Sequence, residues 1–228
     1  MEWLEYVRQI NLASICLRVF LALVIGGLLG VERGKKNRPA GFRTYMLVCL
    51  GSVLVMLTNQ YIFQQFNVSD PVRMGAQVVS GIGFLGAGTI VTTNKSQIKG
   101  ITTAAGLWAA ACSGLAIGAG FYEGAVIGGF AVFIVMSLMK RMDDYIHKNS
   151  RVIDIYLEYS SDGLFSTFLE AVRGNQFEIV DIQISRNKFM ENIRLCTVLN
   201  VKSLVKRTHA EMIEIISEIP GVEHVEEI

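Results

Sequence analysis

The feature that most constrains this chain is a change of grammar near residue 139. Before it, five apolar stretches follow one another with short polar breaks; after it, charged residues return and apolar ones begin to alternate. A helix needs about 20 apolar residues to cross the hydrocarbon of a bilayer. Leu12–Val31, Tyr45–Phe63, Met74–Thr93, Ile101–Ala119 and Tyr122–Met139 approach that length. Lipid offers the backbone no hydrogen bonds, so such segments fold as helices. The pattern predicts a polytopic α-helical membrane domain of five transmembrane helices over residues 1–148 and a small α+β domain over residues 149–228. Composition agrees, with 51% hydrophobic and 18% charged residues and a mean hydropathy of +0.42. Trp3, Leu4, Tyr6, Val7 and Ile10 among polar neighbours read as an interfacial lead-in helix. Glu2 and Glu5 stand where a signal peptide carries basic residues, so no cleavage is expected.

Loop charge sets an orientation. Arg33, Lys35, Lys36, Arg38 and Arg43 fill the first loop, Lys95 and Lys99 the third, and Lys140, Arg141 and Lys148 follow the last span. The second loop, taken as Asn59–Pro71, carries no base and the fourth, GAGFYEGA, carries only Glu123. The excess of Lys and Arg on cytoplasmic loops then places the N-terminus outside and residues 149–228 in the cytoplasm.

The stretch VSGIGFLGAGTI, Val79–Ile90, contains Gly81, Gly83 and Gly86 in a G-x-G-x-x-G pattern. A dinucleotide loop needs a preceding strand, whereas this stretch lies inside the third span. Glycine in a lipid helix lets a neighbouring backbone come close. Gly26 and Gly30, then Gly81, Gly83, Gly86 and Gly88, then Gly106, Gly114 and Gly118, are therefore expected to be packing surfaces. Gly124 and Gly128 repeat the spacing, and Ala76, Ser80, Gly83 and Ala87 form a small-residue face.

Polar groups near hydrocarbon are costly and mark candidate sites. Arg18, near the outer end of the first span, is expected to snorkel to headgroups. Glu32 and Arg33 end the first span, Arg43 and Thr44 begin the second, and both pairs converge on the cytoplasmic face, where Glu32 can form an ion pair. Asp70 and Arg73 are spaced to pair at the outer mouth of the third span, with Asp70 or Ser69 capping the helix and Gln77 one turn deeper. Thr102, Thr103 and Trp108 open the fourth.

The segments GGLLGVERGKKNRPAGFRTYMLVCLGS, DPVRMGAQVVSGIGFLGAGTI and KGITTAAGLWAAACSGLAIGAGFY resemble the signature segments of the MgtC/SapB family of bacterial inner-membrane proteins. The resemblance covers about residues 12–140. It implies a role in magnesium homeostasis and adaptation to low magnesium and, for some members, survival inside host cells and restraint of the F-type ATP synthase. It marks Glu32, Arg33, Arg43, Thr44, Asp70, Arg73, Gln77, Gly81, Gly83, Gly86, Gly88, Thr102, Thr103 and Trp108 as the motif residues.

Beyond the linker His147–Ser150 the period changes. Arg151–Tyr159 alternates like a strand, Asp162–Gly174 is helical, and Phe177–Ser185 alternates with Val180, Ile182 and Ile184 on one face. A turn over Arg186–Glu191, a strand Ile193–Val201, a helix carrying Met212 and Ile216, and a strand Val222–Glu226 complete a βαββαβ order, that of the ferredoxin-like split unit. SSDGLFSTFLEAV looks like the start of an ACT domain, a small-ligand sensor, although the proline usual in that turn is absent. A dimerisation or docking module is the plainer reading, and a homodimer through this domain is one expected assembly.

Cys16, Cys49, Cys112 and Cys196, and His147, His209 and His224, show no metal-site or disulfide spacing, so no metal or cofactor is expected. No basic stripe with interleaved aromatics points to nucleic acid. HExxH and nucleophile-elbow motifs are absent, so no catalytic residue is assigned and an enzyme is disfavoured. Two classes remain: a regulator that binds other inner-membrane proteins within the lipid bilayer, and a transporter or channel for Mg²⁺ or a coupled ion, gated by the cytoplasmic domain. Magnesium prefers carboxylate oxygens, and the carboxylates of the membrane half lie at span ends, which favours the regulator.

Overall fold

A computed structural model describes residues 2–34, 39–67, 70, 72–92, 98–139, 142, 146–147, 150–159, 165–187 and 194–227. The chain divides into two compact units, one built from Met1–Thr92 with Ile98–Arg141 and the other on residues 142–228.

The first unit is helical. A short helix α1 (Glu2–Arg8) leads into α2 (Leu12–Gly34). Asn11 Oδ1 accepts from the Ser14 N–H (2.8 Å) and Ser14 Oγ accepts from the Asn11 N–H (3.1 Å), a reciprocal cap that fixes where α2 begins. The helix α3 (Phe42–Phe66) packs against both α2 and α5 (Ile101–Gly118), which also touch each other. Helix α6 (Tyr122–Ile134) lies on α5 and α2 and passes into a π-helical turn, Val135–Met139. The core at these seams includes Ile25, Leu29, Tyr45, Cys49, Val53, Leu107, Ile117 and Met136. Phe20, Leu47, Leu54, Ile127 and Phe130 face outward, as a lipid-facing surface does, because lipid solvates apolar side chains as well as a core would.

Four described helical segments are long and apolar enough to cross a membrane: Leu12–Val31, Phe42–Phe66, Ile101–Gly118 and Tyr122–Met139. The stretch expected as a 20-residue third span is shorter. Helix α4 runs from Arg73 to Thr89, 17 residues, a rise of about 26 Å against the roughly 30 Å of hydrocarbon. Three local features end it. Thr89 Oγ1 donates to the Gly86 carbonyl (2.8 Å), Ile90 is extended, and strands β1 (Val91–Thr92) and β2 (Ile98–Lys99) pair antiparallel. The chain then turns at Gly100, whose φ is +104° and where a Cβ would stand 1.9 Å from the Thr89 carbonyl oxygen. Only glycine fits that return.

The second unit has the element order β3 (Val152–Tyr159), α7 (Phe165–Gly174), β4 (Phe177–Asn187), β5 (Arg194–Ser203), α8 (His209–Ser217), β6 (Val222–Glu227). Its sheet has the strand order β4-β5-β3-β6, and every neighbouring pair is antiparallel. Ile153, Ile155 and Leu157 alternate into the core with Leu199 and Val201, and Phe168, Val172, Met212 and Ile216 of the two helices cover them. Thr208 caps α8 through a reciprocal pair with Glu211. The expected inward face of β4 is different: a bulge between Ile179 and Asp181 leaves Val180 unpaired. The extra residue rotates the strand, so Phe177 is buried and Ile179 half-buried, while Val180 and Ile182 are exposed. The turn expected over residues 186–191 lies largely outside the described residues, and β4 itself extends through Asn187.

Candidate functional site

Arg18 is the most deeply buried charge among the described residues of the helical unit, with no exposed surface. It does not snorkel. Its Nη1 donates to Gln60 Oε1 (2.8 Å) on α3 and to the Gly118 carbonyl (2.8 Å), Nη2 to the Arg8 carbonyl (2.7 Å), and Nε to Tyr122 Oη (3.1 Å). Gly118 is the last residue of α5 and Arg8 the last of α1. The last carbonyls of a helix lack intrahelical donors and carry the negative end of its dipole. One guanidinium therefore closes two helix C-termini, where a fixed fork of donors and a positive charge both fit. Tyr122 completes the arrangement by donating to the Val7 carbonyl (2.6 Å). Gly120, at φ +81°, makes the turn between α5 and α6, and a Cβ there would meet Arg18 Nη2 at 3.2 Å. Arg8 is itself paired with Glu123 at the surface (2.5 Å). A cavity of about 440 Å³ opens beside the cluster, lined in part by Arg8, Gln9, Asn59, Gln60 and Gln64.

Toward the opposite end of the bundle Tyr45, fully buried, donates to the Thr103 carbonyl (3.1 Å). Thr103 is buried beside it, whereas Thr102 is exposed and Trp108 is 49% exposed. Arg33 is 6% exposed, and its Nε has no hydrogen-bond partner among the described residues. Arg43 is exposed and Thr44 half-buried at the start of α3. The Glu32 side chain and residues 35–38 lie outside the described residues, and with them the expected Glu32 ion pair.

At the start of α4, Asp70, Arg73 and Gln77 are all exposed. The expected Asp70–Arg73 pair is replaced by a backbone contact: Asp70 Oδ1 accepts from the Val72 N–H (3.0 Å), and the Asp70 carbonyl accepts from the Arg73 N–H (3.3 Å). Asp70 thus shapes the entry to α4 without neutralising Arg73.

The glycines separate into two groups. A Cβ on Gly26 would lie 2.9 Å from Met46 Cα, and one on Gly30 would lie 2.7 Å from Phe42 Cα, so α2 and α3 touch backbone to backbone. A Cβ on Gly106 would meet Tyr45 Oη at 2.3 Å, on Gly114 the Cys49 carbonyl oxygen at 2.3 Å, and on Gly118 Met56 Cβ at 2.7 Å, all on α3. Gly86 is in ordinary contact with Ala104 of α5. Gly81, Gly83 and Gly88 depart from the expectation of packing: a Cβ at any of them meets nothing within 4 Å. The reason is rotational. α4 buries Gly75, Ile82, Gly86 and Thr89, and the other glycines face away from the bundle. Gly128 is likewise open, and the atoms nearest a Cβ on Gly124 are those of the Phe121 ring on the turn before it.

A bundle of apolar helices, locked by a buried arginine and glycine-lined seams, defines a membrane protein. Residues 19–145 match the model of the MgtC family, and the chain belongs to that family. Among its relatives, the "Putative magnesium transporter YhiD" of Escherichia coli K12 is 38% identical over 135 residues, 57% of this chain and 62% of that protein. Protein SapB of Bacillus subtilis is 39% identical over 130 residues, 55% of each chain. Protein MgtC of Brucella abortus strain 2308 is 38% identical over 119 residues, 52% of this chain and 48% of that one. The chain thus spans about half to three-fifths of the length of these relatives, and the family match ends before β3.

Proposed function

We propose that this chain is a bacterial inner-membrane regulatory protein of magnesium homeostasis that acts by docking on other membrane proteins, the ATP synthase among them. It crosses the membrane five times with its N-terminus outside, and its C-terminal unit is a cytoplasmic ferredoxin-like, ACT-like module able to pair with a second copy. The protein carries out no catalysis.

The observation that supports docking is the uncovered face of α4. Ala76, Gln77, Ser80, Gly81, Gly83, Ala87 and Gly88 are all exposed on a helix that packs its other side on α5. Small and polar residues are the material of helix–helix contacts in lipid, where backbone proximity and hydrogen bonds replace hydrophobic attraction. On α5 the equivalent glycines are filled by α3; on α4 the seat is open. Gly83→Leu should therefore leave protein level and thermal stability unchanged while abolishing support of growth at low magnesium. Full support of growth by Gly83→Leu at normal protein level would contradict docking through α4.

The alternative is an Mg²⁺ or coupled-ion transporter gated by the cytoplasmic domain; magnesium transport is the role that YhiD's name gives to that relative. It fits the interior less well. Among the described residues the deepest charge in the bundle is the Arg18 cation, which repels a passing cation, and the carboxylates Glu5, Asp70 and Glu123 are all exposed.

A further inference from the structure

The fold of the second unit brings together three side chains that are far apart in the sequence. His147 precedes β3, His209 is the first residue of α8, and Glu227 is the last residue of the edge strand β6. One ligand atom from each lies within 4.8 Å of the others. His209 Nδ1 is 2.6 Å and His147 Nε2 is 3.6 Å from Glu227 Oε1. The two rings meet edge to face with centroids 5.5 Å apart.

We propose that His147, His209 and Glu227 form a binding site for a borderline transition-metal ion of the Zn²⁺ type, with water as the fourth ligand. Two imidazoles and one carboxylate are a known three-ligand set for an open tetrahedral zinc. With metal–ligand bonds of about 2.0–2.1 Å, tetrahedral geometry separates the ligand atoms by about 3.3 Å, so His209 Nδ1 and Glu227 Oε1, hydrogen-bonded at 2.6 Å, would part slightly to admit an ion.

The environment of His209 supports the assignment independently. Its Nε2 lies 3.0 Å from the Ser150 carbonyl. A carbonyl oxygen only accepts, so Nε2 donates to it, which leaves Nδ1 as the nitrogen facing Glu227 Oε1 and the one that would exchange its present hydrogen bond for a metal. Metal-bound histidines commonly show this arrangement, with the far nitrogen donating to a carbonyl that fixes tautomer and ring orientation. The Thr208–Glu211 cap holds the helix end that carries His209.

Magnesium is not the ion. It takes octahedral oxygen ligands and keeps its waters, whereas imidazole nitrogen favours zinc and its neighbours. Bound metal would tie the segment entering β3 to the end of β6 and the start of α8. That adds to the C-terminal module a metal-dependent constraint separate from any magnesium response.

The test is titration of the tag-free, detergent-solubilised full chain with ZnCl₂ alone, and with CoCl₂ read by absorption. We expect one ion per chain, strong four-coordinate cobalt bands, and no displacement by millimolar MgCl₂. His147→Ala and Glu227→Gln should each weaken binding by roughly tenfold or more. His147 is exposed and Gln keeps the shape of Glu227, so circular dichroism should be unchanged. His224→Ala, outside the cluster, should bind as the parent does. No saturable binding at micromolar Zn²⁺, or binding unaffected by His147→Ala and Glu227→Gln, would overturn the site.

Discussion

The Arg18 guanidinium donates to the Gly118 carbonyl across 2.8 Å, joining residues 100 positions apart. Through this bond and its partner to Arg8, the first long helix holds the ends of α5 and α1. Arg18→Lys keeps the charge but loses the planar fork and cannot reach all four acceptors. Each lost bond from a charged donor is worth about 1.5–3 kcal/mol. A lowered melting temperature for Arg18→Lys, and a greater loss for Arg18→Ala, is expected from thermal unfolding in detergent. Unchanged melting of Arg18→Ala would contradict the clamp.

The two groups of glycines should respond in opposite ways. Gly114→Ala drives a methyl into the Cys49 carbonyl, 2.3 Å from the ideal Cβ, and overpacking of this kind costs about 1–3 kcal/mol. Gly83→Ala adds a methyl where nothing lies within 4 Å. Folded yield by size-exclusion chromatography should fall for the first and hold for the second. Equal yields would dissolve the distinction.

These two cases mark what was legible in the sequence. Apolar length located the helices, and alternation located the strands, because both depend on neighbours within one element. The partners of Arg18 are carbonyls and a tyrosine hydroxyl on other helices, which no local pattern reports, so a charge near a span end reads as snorkelling. Glycine spacing identified a face but not whether a neighbour occupies it; α5 and α4 carry similar patterns with opposite outcomes. Ile90, Val91 and Thr92 read as a continuing span because their apolarity suits helix and hairpin alike, and the β1–β2 pairing with the close return of Gly100 to Thr89 separates the two. The bulge at Val180 slipped the register that strict alternation assumed. His147 and His209 looked scattered because metal-site rules count positions along the chain, and the sheet brings distant ones together.

Topology turns on α4, the shortest of the proposed spans. Reporter fusions after Lys36, Lys95 and Asn149 should read cytoplasmic, and fusions within Gln64–Ser69 or at Gly120 external. A fusion after Lys95 that reads external would mean that α4 enters without crossing, leaving four spans.

Asp70 probes the motif at the head of α4. Asn still offers the Val72 N–H an acceptor, so Asp70→Asn should shift stability by no more than about 0.5 kcal/mol. The variant should insert and accumulate normally yet fail to support growth at low magnesium. Full complementation at normal level would leave Asp70 as an anchor of the helix entry and nothing more.

Magnesium flux into liposomes holding the purified chain separates the proposed regulator from a conductor. A regulator gives uptake equal to that of protein-free liposomes at either sign of membrane potential. Uptake above that level that Asp70→Asn abolishes would contradict it and make the chain a transporter.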